Sequence, residues 1–409
     1  MSGLLYRYTV LLAAVAMTGV TAFTVTPVRS TTAQSPLRDA SLTAASITSP
    51  FGAPRPSFVP GVGLQNLHLL DRREFSMATR VIEPDVKVAT MMFGGDILVH
   101  NGVRRSASTG ATGFDFTALF RAIKPIVSSA DLAICHLEVP LTSTNSELSS
   151  YPRFNAPHEL AEGIADAGFD GCSTASNHSA DKGEKGLVDT LDVLDAAGLK
   201  HAGTARSPEE ASSATIYDLG NLTVAHIAGT YWLNGLSTPP GKDWMAQRLD
   251  VRAMLEMAGQ ARWAGADLVV VSVHCCTEYR ANPTEAQVAI FDELSKSPWV
   301  DLVVGHHSHV VGPVGMIGDE YVVYGLGNLL SGQLHTVATS EGFLAVATAQ
   351  WADGSWRFVD MEAVPTVVDR GNYHVLPAGR DGGSFSRTMT MLSSFGVEVG
   401  AYQSPTAPG

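Results

Sequence analysis

Apolar, β-branched runs of four to eight residues alternate with amphipathic stretches from about Asp85 to about residue 365. The runs Val86–Phe93, Leu132–Leu137, Phe169–Ala175, Leu222–Gly229, Leu268–His274, Leu302–Gly305 and Tyr321–Tyr324 predict strands. Between them, 183–197 and 283–294 carry apolar residues at helical spacing, as in Leu187, Leu191 and Leu194, and predict helices. Asn282-Pro283-Thr284-Glu285 suits a helix with proline in its first turn. Phe343–Trp351 and Trp356–Val364 flank Asp353-Gly354 and predict a closing hairpin. Strands alternating with helices make this an α/β fold.

The ends of the chain differ from this pattern. Residues 8–28 carry no charge, Arg7 and Arg29 bracket them, and Val20-Thr21-Ala22 offers small residues for cleavage. Residues 1–29 are therefore expected to be a signal peptide or an N-terminal membrane anchor, with cleavage favoured. Residues 30–84 are rich in Ser, Thr, Ala and Pro and are expected to form a tether. The domain itself is expected over 85–368. Residues 369–409 form a C-terminal extension whose sequence suggests no role.

Composition narrows the function classes. With 45% hydrophobic residues in 409, the chain can bury a large core. Its 27 basic against 40 acidic residues give a net charge of −13, and no basic run is present, so nucleic acid is not an expected partner. Four cysteines, Cys135, Cys172, Cys275 and Cys276, lack zinc-ribbon or thioredoxin spacing. Each ends an apolar run, so packing is their expected role, with a Cys135–Cys172 bridge left open.

The chemistry lies at the strand ends. Asp96, Glu138, Asn177, His178, His274, His307 and His309 each follow an apolar run, and ligands of open α/β sheets bind beyond the carboxyl ends of strands. Singly, each has an ordinary explanation: Asp96 as a helix cap, His274 as a hydrogen-bonded core histidine. The segment 303–311 resists one, because three histidines in four positions of an apolar run are costly to bury unless they bind a cation. Carboxylate, amide and imidazole without thiolate suit Zn, Mn or Fe. Two ions about 3.5–4 Å apart would need about this many ligands.

Six motifs in order carry a family resemblance: Gly-Gly-Asp-Ile-Leu (94–98), His-Leu-Glu-Val-Pro-Leu-Thr (136–142), Ala-Ser-Asn-His-Ser-Ala-Asp-Lys-Gly (175–183), Val-His-Cys-Cys-Thr-Glu-Tyr (273–279), Gly-His-His-Ser-His-Val (305–310) and Gly-Leu-Gly-Asn (325–328). Over about 86–365 the chain resembles the CapA family of bacterial capsule, or poly-γ-glutamate, biosynthesis proteins, which is similar in fold to calcineurin-like metallophosphoesterases. The resemblance implies a four-layer α-β-β-α sandwich of two mixed sheets with metal at one edge. It implies that Asp96 and His309 hold one ion, that Asn177, His274 and His307 hold the other, and that Glu138 bridges them. His178, oriented by Asp181, would be the general acid. Glu278 and Asn328 would lie behind the ligands or face substrate, and His100 is a weaker candidate beside Asp96.

Two departures bear on the ion count. Leu98 stands where a typical metallophosphoesterase has the histidine of Asp-x-His, and Glu138 replaces its bridging aspartate, so one or two ions remain open. His136 stands where the family more often has asparagine, either restoring a ligand or carrying no role. His306 falls at a variable position and stays outside the ligand set. The leading expectation is an exported, metal-dependent hydrolase of phosphoesterase type, acting on a capsule or cell-envelope polymer or a phosphorylated intermediate. Two alternatives stand beside it: a non-catalytic envelope-tethered component that assembles or exports an anionic polymer, and a metal-dependent γ-glutamyl amide hydrolase. If the leader is uncleaved, it also implies contact with the membrane. With a net charge of −13, binding an anionic polymer needs attraction from the metal ions or from a local basic patch around Arg104, Arg105 and Arg153.

Overall fold

A computed structural model describes residues 87–110 and 113–404. The expected leader and tether lie outside these residues. No helix among those described is long and apolar enough to cross a membrane.

The strands, in chain order, are β1 Val88–Leu98, β2 Leu132–Leu137, β3 Leu141–Thr142, β4 Ala156–Pro157, β5 Gly171–Ser173, β6 Lys200–Ala202, β7 Thr215–Asp218, β8 Thr223–Thr230 and β9 Leu268–His274. They continue with β10 Leu302–His306, β11 Val314–Ile317, β12 Glu320–Val323, β13 Asn328–Ser331, β14 Glu341–Ala352, β15 Ser355–Val368, β16 Val375–Pro377 and β17 Gly400–Ala401. Among the described residues one sheet runs β16-β15-β14-β1-β2-β5-β6, with β13 also on β1 and β17 also on β15. The second runs β11-β12-β10-β9-β8-β7. Both mix parallel and antiparallel pairs: β1 is parallel to β2 and antiparallel to β14, and β9 is parallel to β10 while β7 is antiparallel to β8. The fold is α/β with two mixed sheets.

Apolar packing fixes how these parts sit. One cluster joins the sheets directly, with Met91, Phe93 and Ala345 of the first against Val224, Val270 and Leu302 of the second. A second packs the other side of the first sheet, through Cys135 and Leu137, on Leu160 and Ile164 of helix Glu159–Asp166 and Leu194 of helix Gly183–Ala196. The third packs Val269, Val271 and Val303 on Met254 and Ala258 of helix Val251–Trp263 and Phe291 of helix Glu285–Ser295. Because β1 and β9 are covered on both faces, they read as continuous apolar runs without alternation.

Three expectations change in detail. Strand β1 runs past Phe93 to Leu98, so Asp96 sits inside it and not after it. The cause is β13, which pairs with β1 at Asp96, while the Asp96 N–H donates to the Gly327 carbonyl at 2.9 Å. Helix Glu285–Ser295 starts after Pro283, because the Thr284 side chain accepts the Gln287 N–H and caps it there. The cysteines do more than pack: Cys135 bonds Cys172, its register partner on β5, and Cys275 bonds Cys276. Residues beyond 368 add β16 and β17 to the first sheet and a helix, Gly383–Leu392, against it.

The Cys135–Cys172 bond closes a loop of 37 residues. On the chain-entropy account such a loop contributes about 4 kcal/mol. We therefore expect Cys135→Ala/Cys172→Ala to unfold at lower urea, with a slope at least as steep as the wild type's because the denatured chain is freed to expose more surface. An unchanged midpoint would show that the bond adds nothing to stability.

Candidate metal centre

The donor residues arrive from both sheets at one edge. Asp96 from β1, His136 and Glu138 from β2, and Asn177 and His178 from the loop after β5 belong to the first sheet. His274 ends β9, His306 ends β10, and His307 and His309 follow β10 in the second. Local backbone choices make the meeting possible. A Cβ on Gly95 would lie 2.1 Å from the Gly327 carbonyl, so glycine is required where β1 passes that loop. His307 and His309 both adopt left-handed backbone, with φ of 83° and 55°. Non-glycine residues held there cost of order 1–3 kcal/mol each, a strain that clusters at functional sites.

The side chains lie close together. His309 Nδ1 is 3.1 Å from Asp96 Oδ2, and His309 Nε2 is 3.7 Å from Glu138 Oε1. His274 Nε2 is 3.1 Å from Asn177 Oδ1 and 3.9 Å from Glu138 Oε1. The His274 and His307 rings stand 4.6 Å apart. Three overlapping triads result, Asp96/His136/His306, His136/Glu138/His274 and Glu138/His307/His309, each with donor atoms within 4.8 Å of one another. Ligands held 2.0–2.2 Å from one ion lie roughly 3–4 Å from each other, so these spacings suit a shared cation.

What marks the cluster is its unmet bonding. Asp96 Oδ1, both Glu138 oxygens, His306 Nδ1 and His307 Nδ1 are buried without a hydrogen-bond partner. Buried carboxylate oxygens are rarely left so, because each forfeits hydration without return. The residues therefore fit one or two divalent cations, which would give the Asp96, Glu138 and His307 atoms the partners they lack. Charge tells the same story. Burial, then the neighbouring Asp96, Glu278 and Asp181, push the Glu138 carboxyl well above its ordinary value, although His309 opposes them. For Asp96 burial raises the pKa, but contacts with His306 and His309 outweigh it and hold the carboxyl well below the usual range. Burial lowers His309, yet Glu138 and Asp96 prevail and carry it up to about 9.

The last shift predicts a pH dependence. A cation must displace the His309 proton to use the imidazole, so each pH unit below about 9 weakens binding about tenfold. In the metal-free chain the sign is reversed. A raised histidine pKa stabilises the fold fully below the ordinary 6.5, and this is lost as pH climbs through about 9. Between pH 7.5 and 8.5 we expect metal affinity, measured by competition with a chelator, to rise about tenfold. A flat profile would remove His309 from the ligands.

Neighbouring residues hold the donors in place. The Asn328 Oδ1 lies 3.2 Å from His309 Nδ1, and its Nδ2 donates to the Thr339 carbonyl at 2.9 Å. His178 Nδ1 meets Asp181 Oδ2 at 2.7 Å, and the same oxygen accepts the Phe154 N–H. Burial lowers His100 to about 4, and its Nδ1 accepts the Gly332 N–H at 3.2 Å. Above the donors opens a cleft of about 910 Å³ lined by His100, His178, Asp181, Glu278, His309 and Arg153, among others.

All twelve residues singled out in the sequence thus lie at the cluster or its cleft, but some neighbours were not singled out. His306, left outside the ligand set, sets its Nδ1 3.3 Å from Asp96 Oδ1, an ion-pair contact without hydrogen-bond geometry. Its signal was present in the triple histidine. Tyr151, Trp232, Asn234, Gln333 and His335 also line the cleft, from loops where no motif marks them, and so does Tyr279, which closes the 273–279 motif but was given no role. Of the arginines expected as a basic patch, Arg153 lines the cleft; Arg104 and Arg105 do not.

Comparison with known proteins follows the motifs. The chain is 23% identical over 317 residues to the capsule biosynthesis protein CapA of Bacillus anthracis, spanning 75% of this chain and 74% of that one. It is 26% identical over 274 residues to the PGA biosynthesis protein CapA of Bacillus subtilis (strain 168), spanning 63% and 69%. Among solved structures it is similar to the calcineurin-like phosphoesterase YfkN of Bacillus subtilis, at 16% identity and TM-score 0.43, over 74% of this chain and 96% of that one. It is also similar to the Haemophilus influenzae NAD nucleotidase, at 11% identity and TM-score 0.43, and spans 57% of that protein. The profile of the family described as bacterial capsule synthesis protein PGA_cap matches residues 90–333, and the chain belongs to that family.

Proposed function

We propose that the chain is an exported, metal-dependent hydrolase of phosphoesterase type that acts on a capsule or cell-envelope polymer or a phosphorylated intermediate of its synthesis. The observation that carries this reading is the set of buried donors of Asp96, Glu138 and His307 left without hydrogen bonds beneath an open cleft. Asp96, Glu138, Asn177, His274, His307 and His309 are the proposed ligands of one or two Zn, Mn or Fe ions. Once bound, such a cation supplies Lewis acidity toward a phosphoryl oxygen.

The remaining work falls to the chain itself. With Nδ1 committed to Asp181, which orients the ring, His178 keeps Nε2 to hold a proton for the leaving oxygen. Arg153 on the cleft wall offers a cation to an anionic substrate, which the net charge of −13 would otherwise repel. Glu278 also lines the cleft and reaches within 3.8 Å of His309 Nε2.

The test is turnover by the full chain loaded with Mn or Zn, across phosphate mono- and diesters and γ-glutamyl amides. Phosphate or alcohol release from at least one ester is expected. Amide hydrolysis without ester hydrolysis would replace the reaction class, and no product from the whole panel would reduce the site to a structural one.

A further inference from the structure

Behind the proposed ligand His274 runs an unbroken row of buried polar groups. His274 Nδ1 lies 2.8 Å from His136 Nε2, and His136 Nδ1 lies 2.7 Å from Ser173 Oγ. Ser173 in turn lies 3.5 Å from the Cys135 carbonyl, to which its hydroxyl donates. The row begins in the six-stranded sheet and ends in the nine-stranded one, where His136 and Ser173 are register partners on β2 and β5. Stacking fixes the central ring: His136 lies 4.2 Å from the His306 ring, at an interplanar angle of 18°, and 4.8 Å from that of His274.

We propose that His136 is a positioning residue: backed by Ser173, it holds His274 in the tautomer that carries its proton on Nδ1 and turns a bare Nε2 toward Glu138 and Asn177. The inference rests on the metal reading of the site and assigns His136 a part other than that of ligand. A neutral imidazole has one donor nitrogen and one acceptor, so the state of each ring determines the next. If His274 donates from Nδ1, His136 accepts at Nε2 and donates from Nδ1 to Ser173, whose hydroxyl turns to Cys135. Both His136 nitrogens, the Ser173 hydroxyl and the Cys135 carbonyl are then partnered, and the one free lone pair of the row is on His274 Nε2, which with the Asn177 oxygen 3.1 Å away needs a cation between them. That atom faces Asn177 Oδ1 and Glu138 Oε1. Were His136 itself a ligand, a cation at Nε2 would have to displace the 2.8 Å contact with His274, and one at Nδ1 the contact with Ser173. Metal-bound histidines commonly donate their second nitrogen to a carboxylate, carbonyl or water, and removing that partner weakens binding about 10–100-fold. Here an imidazole takes the place of that partner.

The test compares Zn affinity of the full chain with that of His136→Leu, His136→Gln and Ser173→Ala, together with long-range ¹H–¹⁵N NMR of the histidines in the Zn-loaded wild type. Glutamine sets an amide oxygen where Nε2 stood. The expected result is a 10–100-fold loss for His136→Leu, recovery of most of it by His136→Gln, and a smaller loss for Ser173→Ala. The His274 spectrum should show a protonated Nδ1 coupled to His136. Equal loss in the Leu and Gln variants would make His136 a ligand and overturn the proposal. So would wild-type affinity in His136→Leu, or a His274 without a proton on Nδ1. If His136→Leu does not fold, Ser173→Ala and the wild-type spectrum still decide. A wild type that binds no Zn overturns the metal reading and this inference together, whereas Zn binding with an indifferent His136 overturns this inference alone.

Discussion

Replacing His178 by glutamine is expected to lower kcat about 10²–10⁴-fold while leaving metal content unchanged. His178 is buried, its Nδ1 is taken by Asp181 at 2.7 Å, and it borders the cleft beside Asn177, whose amide oxygen points to His274. Glutamine keeps a polar group there and removes the titrating one. Measuring kcat on an ester with a good leaving group beside one with a poor leaving group separates the roles. A general acid is needed by the poor leaving group, so the loss should be larger for that ester. Equal losses on both esters would show that His178 binds substrate and protonates nothing, and metal loss in the variant would place it among the ligands.

Glu138→Gln is expected to weaken metal binding several-hundred-fold or more. Structural zinc sites carry apparent free energies of about 10–16 kcal/mol, or roughly 3–4 kcal/mol for each of four ligands. Glu138 should stand at the upper end, since both its oxygens are unpartnered and it lies between His274 and His309. The same change should relieve the metal-free chain. Burial raises the Glu138 carboxyl, so this group stabilises the fold below its ordinary 4.5 and the stability is lost as pH rises toward the folded value. Glutamine carries no such loss. Elemental analysis after dialysis, with urea titrations at pH 5 and pH 8 in chelator, checks both halves. A variant that keeps its metal, or whose metal-free stability falls with pH as steeply as the wild type's, would contradict this account.

The sequence showed what a local pattern can carry. Strands β2 and β9 were legible to the residue, because each is a largely apolar run closed by a polar residue with chemistry of its own, Glu138 just after β2 and His274 at the end of β9. Helix Gly183–Ala196 was legible through Leu187, Leu191 and Leu194, the same residues it buries. Helix Val251–Trp263 was not, since it packs through Met254, Ala258 and Ala261, and alanines mark a face only weakly. The far end of β1 was hidden for another reason. Gly94-Gly95-Asp96 reads locally as a turn, and only pairing with β13, distant in the chain, makes it strand.

The site followed the same rule. Donors at strand ends could be gathered from their positions alone. The orientation of His136 depends on Ser173 and His274, 37 and 138 residues away, and no local signal carries it. The pairing of Cys275 with Cys276 likewise gave no cue in spacing, because adjacent cysteines are usually read as independent.

The donor cluster draws Asp96, Glu138 and Asn177 from one sheet and His274, His307 and His309 from the other. Elsewhere the two sheets meet through apolar side chains such as Phe93 and Val270, contacts that tolerate sliding because they have no direction. An ion gripped from both sides would behave as a rivet at one corner of that greasy seam, fixing the angle between the layers there and nowhere else. Chelation would then loosen the corner while the body of the molecule stayed folded, and the opening it guards would lose its shape before the protein lost its stability.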